Sequence, residues 1–301
     1  MQASGAPRFG GVVTAMVTPF DEIGDLDLDG ARDLARWLVA HGSHGILLAG
    51  TTGEGPVLDD SEKADLWRCV REAVTVPVIA NTGTNDTRHS IALTKVATQA
   101  KVDGVLAVGP YYNRPPQAGI RRHMEAIAAA TSLPVVIYDI PVRTGRRIAA
   151  EVLVDLAREV SNIVGLKDAT GDLSAAARIV ARAPRGFELY CGDDDLTLSM
   201  LAIGAVGVIS VASHWVGDDL AAMVDAHTKG DVVGARALNT KMLDSFEFET
   251  SESFPNPLPA KAVCRALGLR VGQCRDPLGP APAELDRGAA RLIEDLDIGV
   301  G

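Results

Sequence analysis

The chain of 301 residues has a globular composition, with 47% hydrophobic residues, 23% charged residues and a formal net charge of -10. This length is enough to bury a large core in one big α/β domain or in two small ones. The negative charge argues against a nucleic-acid surface or an anionic membrane as a partner, because neither attracts an acidic protein. We therefore expect small-molecule ligands.

The first residues and the cysteines predict a cytoplasmic protein without disulfides. Residues 1–11 lack a basic segment followed by an apolar stretch, and no apolar run reaches the roughly 18 residues that span a bilayer. The four cysteines show no CxxC spacing, which favours buried thiols over a disulfide framework or a zinc site.

Short apolar, β-branched runs recur about every 25 to 35 residues and predict strands. Several of these runs are apolar almost throughout, as is typical of parallel strands that are covered on both faces. The predicted strands are residues 12–17, 45–49, 76–80, 104–108, 134–138, 163–167, 188–191 and 207–211.

Amphipathic segments lie between these runs and predict helices. They are residues 28–41, 61–74, 87–101, 117–131, 149–160, 173–183, 196–203 and 217–229. Strand and helix alternate about eight times, which favours a (β/α)₈ TIM barrel over a doubly wound sheet with a Gly-rich dinucleotide turn. After residue 229 only helical segments follow, at 232–248, 259–267 and 283–296. We therefore predict a catalytic barrel over residues 1–230 and a C-terminal helical extension over 231–301.

Lys167 is the residue with the clearest chemical potential. It ends the predicted sixth strand and is followed by Asp168, at the strand end that opens into the mouth of a barrel. A free lysine side chain has a pKa of about 10.4, and burial can lower this pKa toward about 7 to 8. Lys167 can therefore act as a nucleophile toward a carbonyl compound.

Other polar residues also directly follow predicted strands. Because the carboxyl ends of barrel strands face the same mouth, these side chains are expected to converge on one small molecule. They are Thr51, Thr52, Tyr112, Tyr138 and Arg143.

Each of these residues has a purely structural alternative. Thr51 and Thr52 lie between glycines and can form a turn with local hydroxyl hydrogen bonds. Tyr112 can be a packing aromatic, and Arg143 can be half of a surface ion pair. The acidic run 193–195 can cap the helix that follows it, which we favour over a metal site.

The segments 45–54 (GILLAGTTGE), 138–141 (YDIP) and 165–169 (GLKDA) resemble the signatures of the dihydrodipicolinate synthase / N-acetylneuraminate lyase superfamily. The resemblance extends from residue 13 to residue 259. It implies a pyruvate-dependent class I aldolase on a (β/α)₈ barrel. Two departures are Asp139, where the family commonly has Asn, and Val142, where it often has Ser or Gly.

The resemblance also implies catalytic roles. Lys167 would form an imine with pyruvate, and Tyr138 would relay protons at the pyruvate methyl group. Thr51 and a tyrosine from a neighbouring subunit, Tyr112, would complete the relay. The enzyme would then be at least a homodimer, with a homotetramer suggested by the family, and would need no cofactor and no metal.

The substrate contacts are implied in the same way. Thr52 would hold the pyruvate carboxylate, while Gly192 and Ile209 would line the floor near the imine. Arg143 would bind the carboxylate of L-aspartate 4-semialdehyde, which favours the branch that makes 4-hydroxy-tetrahydrodipicolinate for lysine and diaminopimelate biosynthesis. The alternative is a lyase or aldolase of the same superfamily that acts on a sugar acid such as N-acetylneuraminate or a 2-keto-3-deoxy acid.

Three other classes fit the residues less well. A metal-dependent aldolase needs His and carboxylate ligands at strand ends, where only His44 and His214 are candidates. A phosphate-binding barrel would have an anion site where the acidic run 193–195 lies. A non-catalytic small-molecule-binding barrel would be marked by the loss of Lys167 or Tyr138, and both are present.

Feedback inhibition by lysine is expected to be weak or absent. The family's effector site has an asparagine and a tyrosine that resemble Asn85 and Tyr111. Its glutamate and histidine, however, correspond to His89 and Lys63, which add positive charge where a cationic ligand would bind.

Overall fold

The computed structural model describes residues 6–249 and 251–298, in which eight parallel strands close into a barrel in chain order. The predicted barrel is confirmed, and each predicted strand end lies within two residues of the observed one. The strands are β1 (Val12–Ala15), β2 (Gly45–Leu48), β3 (Val78–Asn81), β4 (Gly104–Val108), β5 (Val135–Asp139), β6 (Ile163–Asp168), β7 (Glu188–Cys191) and β8 (Gly207–Ser210).

Helices surround the barrel, and local signals fix where several of them begin. Asp59 and Glu62, for example, form a reciprocal capping box at the start of the second helix. The helices next to the strands are α1 (Leu28–Ala40), α2 (Asp60–Ala73), α3 (Thr87–Gln99), α4 (Gln117–Ala129), α5 (Pro141–Thr144), α6 (Ala150–Glu159), α7 (Leu173–Arg182), α8 (Thr197–Ala202) and α9 (Ser213–Thr228). None of the helices in the described residues is long and apolar enough to cross a membrane.

The C-terminal part is helical, as predicted, but it is divided differently. The predicted helix 232–248 is two helices, because Met242 leaves helical geometry at φ -92° and ψ 0°. The helices are α10 (Val232–Lys241), α11 (Leu243–Phe248), α12 (Leu258–Ala266) and α13 (Ala283–Asp295). The short helix α5 was not predicted, because a single turn shows no periodic pattern. The domain division at residue 230 stays a prediction.

Alternate residues of each strand belong to two separate apolar layers. An inner layer fills the barrel and contains Tyr138 and Ile209, and an outer layer lies between the strands and the helices. Tyr138 pairs in register with Lys167, and Asp139 pairs with Asp168. The side chains of Tyr138 and Lys167 therefore share the inner side of the barrel at the same height.

A buried ion pair connects the turn after β2 to α12. Lys261 Nζ lies 2.7 Å from Glu54 Oε1, and the two side chains are 0% and 1% exposed. The same ammonium donates to the Gln273 carbonyl and lies 4.1 Å from the centroid of the Phe20 ring. The other oxygen of Glu54 accepts a hydrogen bond from the Arg275 amide at 2.9 Å. The C-terminal extension thus packs into the structure of the barrel mouth.

Removal of Lys261 is expected to destabilise the protein strongly. Lys261→Met would leave the Glu54 carboxylate buried without its counterion, which costs about 3 to 5 kcal/mol of the free energy of unfolding. The matched control is Lys241→Met, which breaks a surface pair with Asp219 at 2.8 Å and should cost less than about 1 kcal/mol. Urea unfolding of both variants measures the difference. Equal losses of the free energy of unfolding in the two variants would show that the buried pair contributes no more to stability than the surface pair.

Candidate active site

A cavity of about 860 Å³ opens at the carboxyl ends of the strands. Its lining includes four of the residues predicted from the sequence, namely Thr51, Tyr112, Tyr138 and Arg143. These residues come from the turns after β2, β4 and β5 and from the end of β5 itself. The barrel therefore brings together side chains that lie far apart in the chain, as expected for this architecture.

Lys167 lies beside Tyr138 with its amine close to the aromatic face. The lysine side chain is buried, and Nζ is 4.4 Å from the centroid of the Tyr138 ring. Burial lowers the pKa of Lys167 to about 8, although Asp193 and Asp194 oppose this shift. A substantial fraction of the amine is therefore neutral near pH 8, as the sequence predicted.

The Lys167 amine makes no polar contact with the described residues. Within the part of the chain that the structure describes, Nζ has neither a hydrogen bond nor an ion pair. A neutral amine with a free lone pair on a rigid strand is a competent nucleophile toward a carbonyl carbon.

Tyr138 remains a neutral phenol in this environment. Its side chain is buried, burial is the main cause that raises its pKa, and the nearby Asp193 adds to the shift. The Thr51 side chain partly opposes this rise in the pKa. Tyr138 can therefore donate a proton or a hydrogen bond next to Lys167.

The turn that carries Thr51 and Thr52 has an unusual backbone. Ala49 and Glu54 have φ values of +55° and +53°, in the left-handed region that non-glycine residues rarely adopt. A Cβ at Gly55 would overlap the Ala49 carbonyl, so only glycine fits there.

Thr52 makes a long-range contact instead of the local turn bond that we considered as its alternative. Its buried Oγ1 accepts a hydrogen bond of 2.9 Å from Asn256 Nδ2. Asn256 was not singled out from the sequence, since its only signal is its place between two prolines. Its role becomes visible only when the C-terminal segment packs onto the turn.

Arg143 lies on α5 at the rim of the cavity and is exposed. Its Nη2 donates to the Asn256 carbonyl at 3.4 Å. Arg143 forms no ion pair with the described residues, so the alternative of a surface ion pair is not what the structure shows. The guanidinium is free to bind a carboxylate.

Tyr112 has the most exposed large apolar side chain of the rim. It is 90% exposed and has a φ of +70°, and the nearby Arg114 also has a positive φ of 44°. Such backbone conformations cost free energy and concentrate at functional segments. Tyr112 does not pack inside its own chain, which contradicts the alternative of a packing aromatic.

The cavity lining does not include Lys167 itself, which lies beside the lining residue Tyr138, nor does it include Gly192, Ile209 and Thr52. The Gly192 amide donates to the Asp168 carbonyl at 2.7 Å, and a Cβ at this position would come within 2.8 Å of Ala169 Cβ. Ile209 is buried in the inner layer. Their roles in substrate binding stay predictions.

The acidic run 193–195 does not cap the following helix through its side chains, contrary to our prediction. The buried Asp194 instead accepts hydrogen bonds from the Val211 and Ala212 amides at 2.7 and 3.0 Å. Burial raises the pKa of Asp193 to about 6, against the attraction of Lys167. Two carboxyl groups of this run therefore belong to the surroundings of the amine.

The two histidines near strand ends are used by the backbone. His44 Nδ1 accepts a hydrogen bond from the Val12 amide at 3.3 Å, and His214 Nε2 accepts one from the Val17 amide at 3.1 Å. Across the described residues, no group of three His, Cys, Asp or Glu side chains could hold a metal ion.

Known proteins are similar to this chain in sequence and in fold over nearly their whole length. Residues 8–296 match the Dihydrodipicolinate synthetase family. The 4-hydroxy-tetrahydrodipicolinate synthases of Moorella thermoacetica and Bacillus subtilis are 49% and 45% identical, over 95% and 96% of this chain and 98% and 100% of theirs. A crystal structure of the Cyanidioschyzon merolae enzyme with lysine bound has a TM-score of 0.93 and 41% identity, over 97% of this chain and 99% of that one.

Proposed function

This chain belongs to the dihydrodipicolinate synthetase family, and we propose that it condenses pyruvate with L-aspartate 4-semialdehyde to 4-hydroxy-tetrahydrodipicolinate. This reaction belongs to lysine and diaminopimelate biosynthesis. The observation that carries the proposal is the buried Lys167 amine, with a pKa lowered to about 8, against the Tyr138 ring. The covalent imine takes the place of a bound cofactor.

The reaction begins when Lys167 Nζ attacks the ketone carbon of pyruvate and water leaves, which forms an imine. Loss of a methyl proton gives the enamine, and Tyr138 relays that proton. The enamine carbon then attacks the aldehyde carbon of the semialdehyde, and the aldehyde oxygen is protonated. Finally, the amino group of the second substrate attacks the imine carbon, closes the ring and releases the Lys167 amine.

Tyr112 supports an oligomeric enzyme. Its side chain is 90% exposed, so it can reach into the cavity of a neighbouring subunit and join Thr51 in the proton relay. We therefore propose a homodimer or a homotetramer. The cytoplasmic location also stays a prediction.

Arg143 favours the semialdehyde over a sugar acid as the second substrate. Its exposed guanidinium stands at the rim of the cavity and can form a charge-assisted hydrogen bond with a carboxylate. A sugar acid with a polyhydroxyl chain would place neutral hydroxyl groups there.

Borohydride reduction in the presence of pyruvate is expected to add a stable mass to the peptide that contains Lys167. The yield should fall below pH 8, because the amine, whose pKa is about 8, becomes protonated. Peptide mass spectrometry measures the adduct, and Lys63→Arg is a control that should keep it. An adduct on another lysine, or none at all, would rule out the mechanism.

Loss of the Arg143 guanidinium should weaken use of the semialdehyde much more than imine formation. Arg143→Ala removes a hydrogen bond to a charged group, so kcat/KM for the semialdehyde should fall about 10- to 100-fold. The nearby Arg146→Ala is the matched control and should change kcat/KM less than about threefold. Unchanged turnover in Arg143→Ala would instead favour a sugar-acid substrate, tested by cleavage of N-acetylneuraminate and 2-keto-3-deoxy acids.

The same cavity extends to Lys63 on α2, His89 on α3 and Asn85 in the loop before α3. Lys63 is 7% exposed, and its side-chain ammonium has no hydrogen bond or ion pair with the described residues. His89 Nε2 lies 2.9 Å from Asp60 Oδ1. If a cationic effector binds here, as the family resemblance implies, the Lys63 ammonium would oppose it.

We expect L-lysine at about 1 mM to inhibit turnover only weakly. The like charge of Lys63 should reduce the binding free energy of lysine by about 1 to 4 kcal/mol, for dielectric constants between that of water and that of a protein surface. The double variant Lys63→His, His89→Glu should gain inhibition, and a steady-state lysine titration compares it with the natural chain. A midpoint below about 1 mM for the natural chain would contradict the prediction.

A further inference from the structure

Two buried carboxyl groups lie directly behind the catalytic pair. Asp139 follows Tyr138 and Asp168 follows Lys167, and the two aspartates are register partners on β5 and β6. They are 1% and 3% exposed. Because successive residues of a strand point to opposite faces, this acidic pair, Asp139 and Asp168, faces the helices while the catalytic pair faces the barrel interior.

The acidic pair lines a second cavity, of about 280 Å³, between the strand ends and the starts of α6 and α7. The nearest cation is Arg147, but its guanidinium is paired with Asp172 at 2.8 Å. The other charged groups of this cavity are Glu151 on α6 and Arg178 on α7. Neither member of the acidic pair has an ion pair with any described residue.

Asp139 also fixes the segment that carries Arg143. Its two carboxyl oxygens accept the Ile148 amide at 3.3 and 3.2 Å. Ile148 is buried and lies just after the loop 140–147, so this contact fastens the far end of the loop to the end of β5. Asp168 makes a similar local contact by accepting the Thr170 amide at 2.9 Å.

Two negative charges are unfavourable in this arrangement. Asp139 and Asp168 are register partners on neighbouring strands and line the same cavity, and buried like charges on adjacent strands repel each other. Burial, to which the charge of Asp168 adds, raises the pKa of Asp139 to about 7. Burial also raises the pKa of Asp168. The charge of Asp168 is thus one cause of the raised pKa of Asp139, whereas Asp172 adds to the effect of burial on Asp168.

We propose that Asp139 and Asp168 carry one shared proton in the active enzyme, and that this proton keeps the ends of β5 and β6 and the Arg143 loop in their working positions. Asp139 is then a positioning residue for the second substrate. This inference rests on the proposed function insofar as Arg143 binds that substrate. When both carboxyl groups ionise, their repulsion pushes the ends of β5 and β6 apart. Asp139 lies at the end of β5, so its hydrogen bond with the Ile148 amide is then weakened.

The sign of the pH effect on stability follows from the raised pKa of Asp139. The pKa of an aspartate in the unfolded chain is about 3.9, whereas the pKa of Asp139 in the folded protein is about 7. Its protonated form favours folding, so this contribution is complete below about pH 4 and is lost as the pH rises through about 7. Asp168, whose pKa is also raised, shifts stability in the same direction.

Asp139→Asn tests the proposal without substrate. The amide can still accept the Ile148 hydrogen bond and can donate to Asp168, but it cannot ionise. We expect the variant to melt about 2 to 4 °C or more above the natural protein at pH 8 and to show a smaller difference at pH 5.5. The matched control is Glu151→Gln, on the rim of the same cavity, which should follow the natural protein at both pH values.

The second readout is the pH profile of turnover. The ratio of kcat/KM for the semialdehyde, Asp139→Asn over the natural enzyme, should rise about three- to tenfold between pH 6 and pH 8.5. The ratio cancels the titration of Lys167, which both proteins share. The rise should come from KM, because the loop carries Arg143 and not the nucleophile.

A difference in melting temperature that is the same at every pH would overturn the proposal, because it would assign Asp139 a purely structural role. Asp168→Asn is the second variant: loss of the Asp168 charge should lower the pKa of Asp139 and move the pH step in stability to lower pH. A pH step that Asp168→Asn leaves in place would overturn the shared proton. The melting readout needs no substrate, whereas the borohydride adduct on Lys167 tests the proposed function. The two hypotheses can therefore fail separately.

Discussion

The buried ion pair between Glu54 and Lys261 holds the catalytic turn in a conformation that it would not adopt alone. Two non-glycine residues of the turn, Ala49 and Glu54, have left-handed backbones, and such residues cost about 1 to 3 kcal/mol each unless the surroundings fix them. The Glu54 carboxylate supplies this fixation through Lys261 and through the Arg275 amide. Thr51 and Thr52 are therefore positioned by α12 and by the segment that follows it, at the other end of the chain.

The same C-terminal segment connects the two sides of the cavity. Asn256 donates to Thr52 with its side chain and accepts from Arg143 with its carbonyl. The reactivity of Lys167, the proposed nucleophile, depends on a different balance, since burial lowers its pKa while Asp193 raises it. A barrel mouth can supply both effects, because strands exclude water from the amine while the turns place carboxyl groups nearby.

The alternation of side chains along β5 and β6 places the acidic pair directly behind Tyr138 and Lys167. Tyr138 and Lys167 point into the barrel, and the next residue of each strand, Asp139 and Asp168, points toward the helices. A change of charge behind the strands thus acts on the backbone that carries the catalytic side chains, without touching substrate. Arg143 is joined to this arrangement through the loop that Asp139 fastens.

The sequence alone determined the barrel and the order of its elements, because apolar periodicity is a local property. It also placed Lys167 and Tyr138 at strand ends that share one mouth, while the family resemblance implied their catalytic roles. Only the tertiary structure decided the partners of Glu54, the role of Asn256 and the orientation of the acidic run 193–195. Those contacts join residues far apart in the chain, and their energies depend on burial and distance, which no local pattern encodes.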